Sequence, residues 1–153
     1  TSDYSLNLLK DWNIVKFNKK NGDVNMAVEE VYQIYRCNLC GNIVVVTTVG
    51  GGELSCCGQA MELLEPRQLE EGGVKHIPVI KKEDNKIVVE VGEVTHPMED
   101  EHYIAFVELK VGDKSYFATF KPGEEPKAVF DVCAEPEECE ALEYCTVHGL
   151  WNS

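Results

Sequence analysis

Beyond residue 30 the chain is a series of short β-branched and aromatic runs, broken by glycine, proline and acidic turns. Ile43 to Val49 is β-branched throughout and lies between Gly41 and Gly50-Gly51-Gly52, which predicts a strand. Tyr32, Ile34 and Tyr35 predict another just before Cys37, and residues 53–57 return after the glycine turn. Further strands are expected at 77–81, 86–94, 103–111, 115–121 and 127–132. Glu83-Asp84-Asn85, Gly112-Asp113 and Pro122-Gly123 serve as turns between them. Evenly spaced short strands of this kind indicate an antiparallel β-sandwich. Residues 61–73, with Pro66, frequent charges and Gly72-Gly73, read as a linker. The run from Glu135 to Glu143 carries five glutamates and reads as a solvated loop face.

The first thirty residues carry less pattern. Leu6, Leu8, Leu9, Trp12 and Val15 can share one side of a short helix, and Asn21-Gly22-Asp23 reads as a turn. The expectation is an extension packed on the body or on a partner subunit. The organisation is therefore mainly β: an extension over 1–30, a small β module over 31–65, a linker over 66–73 and a sandwich over 74–153. A module as small as the first cannot bury much core and needs a staple such as a metal ion.

Charge narrows the function. A net charge of −13 over 153 residues argues against nucleic acid, whose phosphates need a basic face. No apolar run approaches the length of a membrane span, and no signal-peptide pattern opens the chain, so a cytoplasmic protein is expected. Seven cysteines is an odd number, and the Cys-x-x-Cys spacing favours metal ligation in a reducing compartment over a disulfide scaffold. Cys133 and Cys139 fit no ligand cluster; free thiols or a disulfide are the alternatives to the plainer reading, two small buried apolar residues.

Two clusters carry the chemistry. Cys37, Cys40, Cys56 and Cys57 offer four thiolates, enough for a tetrahedral iron or zinc site. Adjacent residues in a strand point to opposite faces, so Cys56 and Cys57 can share one metal only in a turn, and Gly58 follows directly. The four histidines of the chain all fall in short patches: Lys75-His76-Ile77-Pro78, His96-Pro97-Met98 with His102-Tyr103, and Cys145-Thr146-Val147-His148. Four imidazoles and a thiolate make a ligand set for a transition metal. A catalytic zinc usually keeps three protein ligands, so five with a thiolate suit a redox metal better.

The order Cys-x-x-Cys, Gly-Gly-Gly, Cys-Cys-Gly, Lys-His-x-Pro, His-Pro-Met, His-Tyr-Ile and Tyr-Cys-x-x-His-Gly-Leu-Trp resembles the desulfoferrodoxins, the two-iron superoxide reductases. The resemblance covers roughly four-fifths of the chain, from about Val31 to Cys57 and from about Val74 to Trp151. It implies a desulforedoxin-like module followed by an immunoglobulin-like antiparallel sandwich. It implies that Cys37, Cys40, Cys56 and Cys57 hold a distorted FeS4 centre, a site that would also accept zinc. It also implies that His76, His96, His102 and His148 are equatorial ligands of a second iron, with Cys145 axial and the sixth position open. The implied reaction is the one-electron reduction of superoxide to hydrogen peroxide, with re-reduction by a rubredoxin-like donor and a homodimeric assembly. Outside the resemblance, the alternatives are an electron carrier using the cysteine site alone and a zinc-stapled binding module.

Lys75 has a role only through the resemblance, which places the matching lysine above the open iron face as an attractor for the anion. Residues 72–153 carry 8 lysines against 17 acidic residues, a balance of −9, so a local basic group must overcome a repulsive field. Lys81, Lys82 and Lys121 are weaker candidates for that patch. Val74 departs from the family pattern, in which a glutamate precedes the lysine and binds the ferric iron. Glu70 or Glu71 on the glycine hinge, or water, would take that place.

Overall fold

The computed structural model describes residues 27–68, 75–92 and 96–153. The predicted helix within 1–30, the glycine hinge and Val74 lie outside the described residues. Twelve strands run through the described part: β1 (Ile34–Arg36), β2 (Ile43–Val45), β3 (Ser55–Cys56), β4 (Gln59–Ala60), β5 (Glu62–Leu64), β6 (Pro78–Glu83), β7 (Lys86–Val91), β8 (Ile104–Val111), β9 (Lys114–Thr119), β10 (Lys127–Phe130), β11 (Cys139–Cys145) and β12 (Gly149–Asn152). All strand pairs are antiparallel. Among the described residues no helix is long and apolar enough to cross a membrane.

Two sheets form the body, in the orders β10-β7-β6 and β12-β11-β8-β9. Their inner faces meet in a core of Ile87, Val89, Val91, Ile104, Val107, Leu109, Ala128, Phe130, Ala141 and Cys145. Alternation along each strand produces this face. On β8, Val107 and Leu109 point inward while Phe106 points out. The expected mainly-β fold with an antiparallel sandwich is the one observed.

The outer face of the larger sheet is also buried. Phe106, Leu142, Tyr144 and Leu150 pack against Ile34, Ile43, Val45 and Leu64 of the small sheet β2-β1-β5. The N-terminal strands therefore share a core with the body. A second cluster, Val28, Tyr35, Cys37, Val46 and Met61, sits beneath the cysteine loops. Arg36 crosses the seam, donating from Nη1 to the Tyr144 hydroxyl at 3.0 Å and from Nη2 to Glu62 at 2.9 Å.

Three sequence expectations need correction. The acidic run is solvated at Glu135, Glu137, Glu138 and Glu140 but is not a loop throughout: Pro136–Glu138 is a single 3-10 turn, and from Cys139 the chain becomes β11, a central strand of its sheet. Ala141, Leu142 and Glu143 are buried there, because flanking apolar residues outweigh the acidic composition. The stretch 61–73 is not linker throughout. Glu62–Leu64 is strand β5, and Arg67 is bonded in parallel to β12 through Arg67 N–H to Leu150 O at 2.9 Å and Asn152 N–H to Arg67 O at 3.0 Å. Cys133 and Cys139 are free thiols; Cys133 is exposed, against the expectation of a buried residue, whereas Cys139 is partly buried against the main core.

Candidate metal centres

The cysteine cluster lies where two turns meet. The ligand atoms of Cys37, Cys40, Cys56 and Cys57 all fall within 4.8 Å of one another. Cys37 follows β1 directly, and Gly41, with φ of 80°, closes the Cys-x-x-Cys turn through its N–H to Cys37 O at 3.0 Å. The adjacency of Cys56 and Cys57 is resolved by backbone conformation. Cys57 takes φ of 54° and Gly58 φ of 75°, so the chain reverses between β3 and β4. Both sulfurs then face the same side, 3.9 Å apart, with Cys40 Sγ 3.6 Å from Cys56 Sγ. Backbone N–H groups of Cys40 and Leu39 point at Cys37 and lower its pKa to about 6. Crowding by Cys40 and the other thiols raises that of Cys56 to about 12. Four sulfurs sharing a small space without a counter-charge resist complete ionisation, and a cation bound among them would supply the missing charge.

The histidines form a ring at one end of the sandwich. Successive centroids are 4.9 Å (His76–His96), 4.9 Å (His96–His102), 5.0 Å (His102–His148) and 4.7 Å (His148–His76) apart. Each neighbouring pair is tilted by more than 60°. The result is a four-sided arrangement of imidazoles around a common centre. The ligand atoms of His76, His96, Cys145 and His148 lie within 4.8 Å of one another; His102 joins through its ring contacts and sits slightly wider.

Each side chain is held by its local structure. Cys145 ends β11, where a register shift pairs Tyr144 with Phe106 but Cys145 with Ile104, turning the thiol into the core. A tight hairpin then returns to Gly149, which has φ of 89°, and carries His148 so that its Nδ1 is 3.7 Å from Cys145 Sγ. His96 and His102 share a loop closed by reciprocal Glu99–His102 backbone bonds of 2.9 and 3.1 Å. Thr146 ties that loop to the hairpin, accepting from Tyr103 N–H at 3.1 Å and donating to Glu101 O at 3.2 Å. Lys75 and His76 occupy a bend before β6, so exposed Lys75 and buried His76 serve different sides.

Electrostatics favours neutral imidazoles. Burial, reinforced by the neighbouring histidines and Lys75, lowers the His76 pKa to about 4. Burial also lowers that of His96, against a bond from its Nδ1 to Pro97 O. With Nδ1 committed at 2.7 Å, the lone pair of His96 is on Nε2. That atom and His102 Nε2 are buried without a hydrogen-bond partner among the described residues. Orphaned inward-facing nitrogens beside a buried thiol fit a metal ion. Cys145 is fully buried, whereas Lys75, Val147 and His148 are exposed, so the group has one closed side and one open side. Burial raises the Cys145 pKa, opposed by the N–H groups of His148 and Val147.

The structure thus brings together each histidine and cysteine singled out in the sequence, in two clusters. Lys75 reaches both His76 and His96 electrostatically. Lys81 and Lys82 are instead engaged on β6 with Glu90 and Glu135. Val74, Glu70 and Glu71 are outside the described residues. Sequence reasoning missed Glu143, whose carboxylate is buried 3.6 Å from His76 Nδ1, and gave no role to Trp151, stacked on His76 at 5.0 Å and 14°. The available signal for Glu143 was one acid inside the apolar run Ala141–Cys145.

The desulfoferrodoxin family profile matches residues 68–153, and the profile of the desulfoferrodoxin N-terminal domain matches residues 29–64. A desulfoferrodoxin homolog from Archaeoglobus fulgidus is 48% identical over 124 residues, covering 81% of this chain and 98% of that one. A superoxide reductase from Pyrococcus abyssi is 37% identical over 98 residues, covering 53% of this chain and 85% of that one. The crystal structure of the superoxide reductase from Treponema pallidum superposes with a TM-score of 0.63 at 25% identity, covering 82% of this chain and 99% of that one.

Proposed function

The chain belongs to the desulfoferrodoxin family, and from that premise we propose that it is a superoxide reductase, converting superoxide to hydrogen peroxide with one electron and two protons. The observation that carries this reading is the ring of four imidazoles beside a buried thiol. His76, His96, His102, His148 and Cys145 would hold an iron ion. Iron bound there supplies the single electron and a charge for the anion to approach.

The chain's own residues set the conditions for that step. Lowered pKa values leave His76 and His96 neutral at physiological pH, so protons do not compete for their lone pairs. The closed side keeps Cys145 from solvent. Lys75, exposed at the rim, provides a positive point in a chain of net charge −13 and steers the anion to the open side.

Cys37, Cys40, Cys56 and Cys57 would hold a second iron, or zinc, stapling the turns of the small module over 31–65, which packs on the catalytic domain over 74–153 through its apolar face. The electron reaches the catalytic site from a rubredoxin-like donor. The working unit is a homodimer in the cytoplasm, acting on free superoxide. The test is the yield of peroxide from the iron-loaded protein with a reductant present. One peroxide per superoxide with no oxygen released supports a reductase. One peroxide per two superoxides with oxygen released would mean a dismutase, and no consumption above background would leave an electron carrier or zinc-stapled scaffold.

A further inference from the structure

Glu143 is fully buried on β11, and neither of its carboxylate oxygens has a hydrogen-bond partner among the described residues. A buried carboxylate without partners is costly, so its retention needs a reason. Two buried donors beside it are equally unpartnered. His76 Nδ1 lies 3.6 Å from Glu143 Oε1, a little beyond a hydrogen bond. Trp151, whose Nε1 is also orphaned, faces Glu143 across the β11–β12 pair. The Trp151 indole in turn stacks on the His76 ring at 5.0 Å and 14°. One carboxylate with two oxygens thus stands opposite two donors.

We infer that Glu143 is a positioning residue for the metal centre, its carboxylate accepting the Nδ1–H of His76 and the Nε1–H of Trp151. A neutral imidazole carries one proton. Holding that proton on Nδ1 leaves the lone pair on Nε2, the atom that can turn toward the other histidines. His96 achieves the same result with the Pro97 carbonyl at 2.7 Å, so two adjacent ring members are fixed by acceptors behind them. A carboxylate does more than a carbonyl. It makes the imidazole a stronger donor to a cation, and Trp151 fixes the ring plane while Glu143 fixes its edge. A shift of a few tenths of an ångström closes the gap, a scale at which ligand contacts tighten when a site fills.

This inference rests on the reading that the histidine ring holds a metal. The test uses the full chain and two probes. In the zinc-loaded, nitrogen-15-labelled protein, a His76 Nδ1–H resonance protected from solvent exchange is expected in the wild type, lost in Glu143→Ala and regained in Glu143→Gln, whose amide oxygen still accepts. In chelator competition with Co(II), Glu143→Ala should weaken the histidine site by about 10–100-fold and leave the cysteine site of the same chain unchanged. Unchanged protection and affinity in Glu143→Ala would overturn the assignment. Equal weakening of both sites would also overturn it, as the mark of a general packing role. A wild-type chain that takes no metal at the histidines would overturn the functional reading along with it.

Discussion

Replacing Tyr144 by Phe tests how the two parts of the chain are joined beside both metal centres. Tyr144 precedes Cys145 and Arg36 precedes Cys37, so the 3.0 Å bond from Arg36 Nη1 to the Tyr144 hydroxyl links the residues just before two thiolates. Tyr144 is buried and its ring is stacked on Phe106 at 5.6 Å and 12°, so Phe keeps the packing and removes only the acceptor. A hydrogen bond to a charged donor contributes roughly 1.5–3 kcal/mol when shielded. Arg36 is 28% exposed and keeps Glu62 at 2.9 Å and Asn38 at 3.0 Å, so water and these partners recover part of the loss. The expected cost of Tyr144→Phe is therefore about 1–2 kcal/mol. Arg36→Met should cost about the same plus roughly 0–1 kcal/mol for the exposed Glu62 pair. In a double-mutant cycle the coupling should be about 1 kcal/mol, measured by urea unfolding at constant metal excess and followed by tryptophan fluorescence. Single effects that add within about 0.3 kcal/mol would refute the reasoning, because the two residues would then not share an interaction. A second, separate transition in wild-type unfolding would refute it too, since the seam would then not join the two sheets.

Other perturbations separate catalysis, stability and metal binding. Lys75→Ala should lower kcat/KM for superoxide by about 10-fold or more at low salt, with metal content unchanged and a weaker salt dependence, as stopped-flow or pulse radiolysis can show. Glu108 is fully buried on β8, and burial raises its pKa against opposing contributions from Lys110 and Ser115. Its folded-state pKa lies above the unfolded value, so the protein binds more protons when folded and loses stability as pH rises from about 4.5 through the folded pKa. Glu108→Leu should remove that slope and stabilise the protein at pH 7 by about 1–3 kcal/mol, read from unfolding curves at several pH values. Cys57→Ala should abolish metal at the cysteine site and leave the histidine site loaded, by metal analysis and visible absorption.

Much was legible in the chain because metal ligands come as residue types with rigid spacing. Cys-x-x-Cys, the adjacent cysteine pair and four histidines in short patches identify both clusters from the sequence alone. Alternation and turn residues likewise located most of the sandwich, since burial on one sheet face imposes a period of two. What local pattern did not carry was the effect of distant surfaces. Four of the five glutamates before Cys145 are solvated, as one dimension suggests, yet β11 is covered by β8 and β12 beside it and by the small sheet above, and Glu143 is sealed in with His76. Residues 62–64 look like part of a linker until β1 supplies their hydrogen bonds. The identity of the clustered candidate ligands was thus set by their side-chain chemistry and could be read directly. Their closure into a ring, the closed and open sides, and the acceptors behind His76 and His96 depend on strands far apart in sequence, and only the packed fold decides them.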